Sequence, residues 1–589
     1  MCGIAGQCAF GGKDADENLV KRLVEGMRYR GPDHAGHFAA PGVALGMARL
    51  SIVDVKSGFQ PLFNEQGTVA LVCNGEIYNH QELRRGLETR GHRFKTGSDC
   101  ETIVHLYEER GADCLRDLHG MFAFLLWDAR RQTLFAARDR VGIKPLYYHE
   151  EGGVWTFSSE FGPLVRGLGF SPQIDERALW SFLTIGYSTS DTATLDPRVK
   201  RLAPGELLEI DESGLRSQRY WRPAYLDRAG VSSPPADVEA LRDILLRTLD
   251  EHLVCEVPSA IMLSGGLDST SVVVHAKRLG HEMRVVTAGY AGEHDCDERA
   301  VALETAGRLG LPVEEIVLNA ADYARSFAAM MRRMDEPVAD IAAVPQWEIY
   351  RRVGEMGVKV LHSGLGGDEL FFGYGLWNDL AALLERGERP RAFATDDASG
   401  FYFHPSHKAG REFLEAAALR PQPGLDEETA AAHGLDRLRG AERVYHLLFE
   451  TWLPGNCLHL GDRLSMAHSV ELRVPFLDDR LVTHVQGLPL GERFAPGQCK
   501  PLLKRLLLPE LGEAFLNRPK RGFTPPRGFV RGLVEENAEL LLEGNLARVF
   551  FDRAALRRLR AEQPDNDIWY RMLVFEKWRE AAYSRAEVA

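Results

Sequence analysis

Residues 261–270 read IMLSGGLDST: an apolar run, a turn built on two glycines, and the start of a helical pattern. A strand passed into a helix through so short a turn puts open backbone N–H groups and the positive end of the helix at the strand's carboxyl end. The same rhythm continues on both sides. Helical patterns at 238–252 and 269–279 flank the loop, and further strands are expected at 284–289, 313–318 and 358–362 with helices between. Such alternation predicts an α/β doubly wound parallel sheet with ligand sites at the carboxyl ends of its strands. From about Leu376 to the end the pattern is mostly helical. The stretch 385–424, charged and broken by prolines, supports no assignment.

The first 210 residues behave differently. Short β-type runs at 43–48, 68–73, 121–127, 133–137 and 154–158 are separated by Gly, Asn and Asp turns, with helical patterns at 19–27, 81–88 and 101–109. That segregation predicts an α+β sandwich. The Pro- and Ser-rich stretch 221–237, WRPAYLDRAGVSSPPAD, reads as a linker. Two domains are therefore expected, 1–215 and 236–589.

Composition narrows the function classes. With 45% hydrophobic and 26% charged residues the chain is neither disordered, collagen-like nor a coiled-coil rod. Its formal net charge of −13 argues against sequence-independent binding to nucleic-acid phosphates or anionic lipid, whereas a nucleotide pocket needs only local cations. Nine cysteines, an odd number with no CxxC pair, fit a reducing cytosol better than a disulfide framework or a zinc ribbon. No run approaches the ~20 apolar residues of a membrane span, and the start, MCGIAGQCAFGGKDADE, lacks a secretory core. A soluble cytoplasmic protein is expected, with neither nucleic acid nor membrane as partner.

Cys2 stands directly after the initiator methionine. By itself a second-position cysteine is only a tolerated start residue. If Met1 is removed, however, a thiol and an α-amine share one residue. With a pKa of ~7.7–8 the amine is partly unprotonated near neutrality and can serve as the thiol's base. Around it stand RGPD (30–33), ARLSIVD (48–54), NGEIYN (74–79), GSDCET (97–102) and RDRVGIKPLYY (138–148). In these motifs, in this order, the first 210 residues resemble the class II glutamine amidotransferases, which are N-terminal-nucleophile hydrolases. The resemblance implies that Cys2 attacks the glutamine carboxamide and that Asn74 and the Gly75 N–H stabilise the oxyanion. It further implies that Arg49 clamps the α-carboxylate, Asp99 holds the α-ammonium, and Glu76 lines the glutamine site.

The second half adds a further resemblance. Ser264, Gly265, Gly266, Asp268 and Ser269 of SGGLDS form an anion cradle that is not a Walker loop, since GxxxxGK[ST] is absent. The loop looks like the PP-loop of ATP pyrophosphatases. With LHSGLGGDELFFGY (361–374), LSMAHSVELRVPFLD (464–478) and RPKRGFTPP (518–526), the chain resembles the glutamine-hydrolysing asparagine synthetases along nearly its whole length. This implies that ATP adenylates an acceptor carboxylate, aspartate by default, and that ammonia crosses an internal tunnel to form the amide. Mg²⁺ falls to Asp268 and Asp368, whose hard oxygens suit it. Lys520 falls near the phosphates, and Leu263, Ala288, Ser363 and Gly364 contact adenosine. A homodimer is a family tendency.

Two positions depart from the pattern. Leu365 stands where the family usually has a glutamate thought to accept the proton of attacking ammonia, a task leucine cannot perform. Phe372 stands where glycine is usual, so a reshaped pocket is expected. Retained activity on a carboxylate other than aspartate, with a different base such as Glu369, accommodates both. The competing readings are a glutaminase with a regulatory second domain and a non-catalytic scaffold.

Overall fold

The computed structural model describes residues 2–227, 236–388, 405–422, 428, 431–518 and 524–584. Twelve strands form the first domain. They are β1 (Cys2–Ala9), β2 (His34–Ala40), β3 (Val43–Arg49), β4 (Leu62–Phe63), β5 (Val69–Ile77), β6 (Gly120–Asp128), β7 (Thr133–Arg138), β8 (Tyr147–Glu151), β9 (Val154–Ser158), β10 (Lys200–Arg201), β11 (Glu206–Asp211) and β12 (Gly214–Arg219). They make two six-stranded sheets, in the orders β10-β8-β9-β1-β3-β2 and β12-β11-β7-β6-β5-β4.

The inner faces of the two sheets pack on each other. Ile4, Leu45 and Met47 from one meet Val72, Leu125 and Ile210 from the other in a single apolar cluster. Outside the second sheet, helices α1 (His80–Thr89) and α2 (Glu101–Arg110) cover Phe122, Phe124 and Phe135 with Leu87, Ile103 and Tyr107. Outside the first, helix Glu17–Glu25 lays Leu19, Val20, Leu23 and Val24 inward. The result is the expected α+β sandwich of the N-terminal-nucleophile type. Every residue of β1 is buried, as befits a central strand covered on both faces.

The second domain is built on a five-stranded parallel sheet of order β15-β14-β13-β16-β17. Its strands are β13 (Ser259–Met262), β14 (Arg284–Tyr290), β15 (Val313–Leu318), β16 (Val360–His362) and β17 (Glu471–Arg473). Order reverses at β13, so its carboxyl end and that of β16 form a crevice. Helix Val238–Leu253 enters with Asp237 capping the N–H groups of Glu239 and Ala240. Beyond the sheet the described residues are mainly helical, and Pro454 sits inside a π-helical turn at Leu448–Leu458. No disulfide joins any of the nine cysteines. No helix among the described residues is long and apolar enough to cross a membrane.

Candidate active sites

Cys2 opens β1 and lies opposite Arg49 on β3. Its backbone N–H donates to Asn74 Oδ1 at 2.9 Å. That bond turns the Asn74 carboxamide so that Nδ2 is buried without a hydrogen-bond partner. A buried unpaired donor costs about 1–3 kcal/mol and is retained where it has a use. Next along β5, Gly75 has no room for a Cβ, which would run into the Met121 carbonyl on β6. Burial pushes the Cys2 thiol up, opposed by a hydrogen bond from the Leu50 backbone and by Arg49. A preformed thiolate is therefore disfavoured, and a nearby base is needed.

Arg49 is pinned before any ligand arrives. Nη1 donates to Ser51 Oγ at 2.9 Å, and Nη2 donates to the carbonyls of Val53 and Asp54 at 3.0 and 2.9 Å. Asp99 accepts from the Ile77 N–H at 2.8 Å, which fixes it at the carboxyl end of β5. Glu76 is also buried, and burial followed by the Asp99 charge pushes its carboxyl well above the usual range. Cys2, Arg49, Asn74, Gly75, Glu76 and Asp99 thus lie on β1, β3, β5 and the turn before α2.

The second site sits in the crevice. The helix after the SGGLDS turn, Leu267–Arg278, starts at Gly266 with no side chain capping its first N–H groups. Ser264 Oγ and Ser269 Oγ are 2.9 Å apart, and the Gly266 N–H donates to Ser264 Oγ at 3.1 Å. An open helix end ringed by hydroxyls suits a phosphate. Leu263 and Ala288 follow β13 and lie on β14, and Ser363 and Gly364 follow β16. Gly364 presses on Asp268 and Ser269 so closely that a Cβ would overlap both. Asp268 and Asp368 converge on one cation, Lys500, whose Nζ is 2.7 Å from Asp368 Oδ1 and also pairs with Asp268 Oδ2. Burial would pull the ammonium down, but the two carboxylates outweigh it and hold it up. Two carboxylates already gathered on one positive centre are a donor set that fits a divalent ion. Lys520 lies outside the described residues.

Both departures from the family pattern are visible. Leu365 packs partly buried against the core, near Gly461. Phe372 holds φ 55°, the left-handed region glycine would favour. Its ring is buried between Tyr445 and Phe494, with ring centroids 5.0 and 5.1 Å away. Apolar packing holds a backbone conformation that a side chain would otherwise resist. Glu369 is buried and accepts from Tyr374 OH at 2.5 Å and Cys457 Sγ at 3.4 Å. Burial, then the charge of Asp368, push its carboxyl up.

Charged residues from both domains meet between the sites. Arg30, fully buried, donates to the Cys2 carbonyl at 3.1 Å, to Glu160 at 2.8 Å and to Asp462 at 2.8 Å. Arg463 bridges Asp462 and Asp335, and Arg473 on β17 reaches Glu76 at 3.2 Å. A cavity of about 20 Å³ lies alongside, lined in part by Arg138, Leu146, Tyr147, Leu458 and Arg463. It has room for one water-sized molecule. Sequence reasoning assigned no role to Arg30, Asp462, Arg473 or Lys500. Arg30 and Arg473 lie in two of the motifs above (RGPD, LSMAHSVELRVPFLD), but Asp462 and Lys500 carry no such signal.

A thiol on the first strand of such a sandwich, joined to a parallel sheet with a glycine-rich turn at its crevice, fits a glutamine amidotransferase with an ATP-dependent second domain. A family model described as a glutamine amidotransferase domain matches residues 1–221, and one described as asparagine synthase matches residues 240–580. The chain belongs to the asparagine synthase family. It is 29% identical to asparagine synthetase [glutamine-hydrolyzing] 1 of Bacillus subtilis, over 95% of this chain and 93% of that one. A Mycobacterium tuberculosis protein named for the same activity is 32% identical over 98% of this chain and 97% of its own. Amidase chyE of Penicillium rubens is 28% identical over 90% of each.

Proposed function

We propose that the chain transfers the side-chain nitrogen of glutamine to an acceptor carboxylate in two separated steps. With Met1 removed, the Cys2 amine takes the thiol proton and the sulfur attacks the carboxamide carbon. Asn74 Nδ2 and the Gly75 N–H stabilise the oxyanion, ammonia leaves, and water hydrolyses the thioester to glutamate. The observation that carries this reading is Asn74, whose oxygen holds the Cys2 N–H while its buried Nδ2 points a spare donor into the same corner. Arg49 suits the α-carboxylate as a planar, pre-oriented cation, and Asp99 suits the α-ammonium. Glu76 completes that wall.

In the crevice the acceptor carboxylate attacks the α-phosphorus of ATP, giving an acyl-adenylate and pyrophosphate. Ser264, Gly265, Gly266 and Ser269 would cradle phosphate, and Leu263, Ala288, Ser363 and Gly364 would face adenosine. Mg²⁺, held by Asp268 and Asp368, would offset the phosphate charge. Lys500 stands ready beside it, and Lys520 is assigned the same neighbourhood. Ammonia, the size of water, passes between the domains by the cavity near Arg463 and displaces AMP. The domains run 1–215 and 236–589, and a cytoplasmic, homodimeric enzyme is the accompanying reading.

Aspartate is the default acceptor. Leu365 favours a second reading, in which another carboxylate is used and Glu369 takes the proton of attacking ammonia. A buried carboxyl with a raised affinity for protons is suited to that task. The fungal relative named as an amidase points the same way. The test is a screen of carboxylic acids for pyrophosphate release with ATP and glutamine present. Aspartate, malonate derivatives and peptide carboxylates come first. Rapid asparagine formation would refute the second reading, and no pyrophosphate with any acid would refute both.

A further inference from the structure

A cluster of two histidines and two glutamates lies around α2 in the first domain and shares no residue with either site. One ligand atom from each of Glu65, His92, His105 and Glu108 can be chosen so that all lie within 4.8 Å of one another. His105 and Glu108 stand three residues apart on α2, hence on one helix face. Glu65 belongs to the turn between β4 and β5, and His92 to the loop after α1. His105 Nδ1 is 3.7 Å from both Glu65 and Glu108, and His92 Nδ1 is 3.8 and 3.9 Å from the same two carboxylates. A tetrahedral zinc ion with bonds of ~2.0–2.1 Å requires ligand atoms about 3.3 Å apart. Side-chain shifts of up to about 1.5 Å would close the site.

His105 marks the cluster as more than a group of surface acids. It is fully buried, and neither ring nitrogen has a hydrogen-bond partner. Its nearest polar neighbours are carboxylate oxygens at 3.6–3.7 Å, just beyond hydrogen-bond reach, an arrangement that a cation between them would complete. The groups behind the four ligands are also arranged as metal sites arrange them. His92 Nε2 faces Glu109 at 3.2 Å, and His105 Nε2 faces Glu101 at 3.6 Å, so each ring has a carboxylate behind it. Asn64 Nδ2 donates to Glu108 Oε1 at 2.7 Å, and the Arg93 N–H donates to Glu65 Oε1 at 2.8 Å. In each carboxylate the second oxygen, Oε2, is the one nearest His105.

We propose that Glu65, His92, His105 and Glu108 bind one structural zinc ion. Two imidazoles and two carboxylates form a borderline ligand set suited to Zn²⁺ rather than to Mg²⁺ or Ca²⁺, which prefer oxygen alone. Four protein ligands leave no open position, so the ion fastens two loops to α2 and does no chemistry. The first turn of that helix directly follows Asp99, so the staple also steadies one wall of the first site.

The test uses the full chain stripped with a chelator and then titrated with cobalt(II). One equivalent should give the strong visible bands of a four-coordinate nitrogen and oxygen site without a thiolate charge-transfer band. His92→Ala and Glu65→Gln, both at partly exposed positions, should each lose that equivalent. The wild type should also unfold at a higher temperature with added zinc, and the two variants should not. Absence of the visible bands would overturn the proposal. So would cobalt uptake or zinc stabilisation that is identical in wild type and both variants.

Discussion

Arg30 Nη2 and Asp462 Oδ2, 432 residues apart in sequence, lie 2.8 Å from each other with both side chains buried. The same guanidinium donates to the carbonyl of Cys2. One side chain thus touches the proposed nucleophile's backbone and a carboxylate of the ATP-dependent domain. Asp462→Asn leaves Arg30, Lys144 and Arg463 short of a negative partner. Breaking one member of a buried ion network costs ~3–5 kcal/mol. A fall of several degrees in unfolding temperature is expected, and an unchanged temperature would contradict the network's role.

Asn74→Ala removes the spare donor beside Cys2. Loss of one such donor costs roughly 100- to 1,000-fold in kcat. Glutamine hydrolysis should fall by that factor. Amide synthesis from added ammonium should be unaffected, since the crevice keeps its own groups. Equal loss of both activities would contradict two separable sites.

Lys500→Met and Asp268→Asn should each abolish pyrophosphate release while sparing glutamine hydrolysis, read as glutamate formed without ATP. Glu369→Gln should behave differently. It should retain acid-dependent exchange of pyrophosphate into ATP and lose amide formation, because only the last proton transfer needs the base. Retained amide synthesis in that variant would assign the proton elsewhere.

Burial disfavours a Cys2 thiolate, so hydrolysis should depend on the free form of the chain's amine. A free α-amine titrates at ~7.7–8. The kcat/KM for glutamine should therefore drop about tenfold per pH unit below ~7 and level off above ~8. A flat profile from pH 6 to 9, at roughly these values, would point to a preformed thiolate.

His446 gives a second pH effect, on stability. Burial, then His433, lower its pKa to about 3. Its Nδ1 accepts from Tyr225 OH at 2.6 Å and its Nε2 donates to the His433 carbonyl at 2.7 Å, so the neutral ring is fully used. Once unfolded, a histidine takes up a proton near ~6.5. The unfolded state then binds more protons than the folded one, and stability is lost as pH falls from ~6.5 toward 3. His446→Asn should flatten the fall of unfolding temperature over that range, and an unaltered slope would assign the effect to other groups.

Period-two and strand–helix patterns made much of this architecture readable. The run expected at 154–158 is β9, Val154–Ser158, and that expected at 313–318 is β15, Val313–Leu318. Strands without such patterns escaped. Cys2–Ala9 is buried on both faces, so it shows no alternation. Glu471–Arg473 is three residues long and joins the sheet only by pairing with Val360–His362 far upstream. The candidate glutamine site could be proposed from sequence because its residues sit in short motifs. Lys500 was not, because its partners lie 232 residues away at Asp268 and at Asp368, and no local spacing encodes such a meeting.

The charged groups at the domain boundary also limit how the chain can be divided. Arg30, Lys144 and Glu160 belong to the first half, and Asp335, Asp462 and Arg463 to the second. Cut between them, one half keeps a surplus positive group and the other a surplus negative one, each in a surface shaped to be dry. Chimeras that graft a foreign amidotransferase half onto this synthetase half must carry the matching ions across, or the graft will not seat.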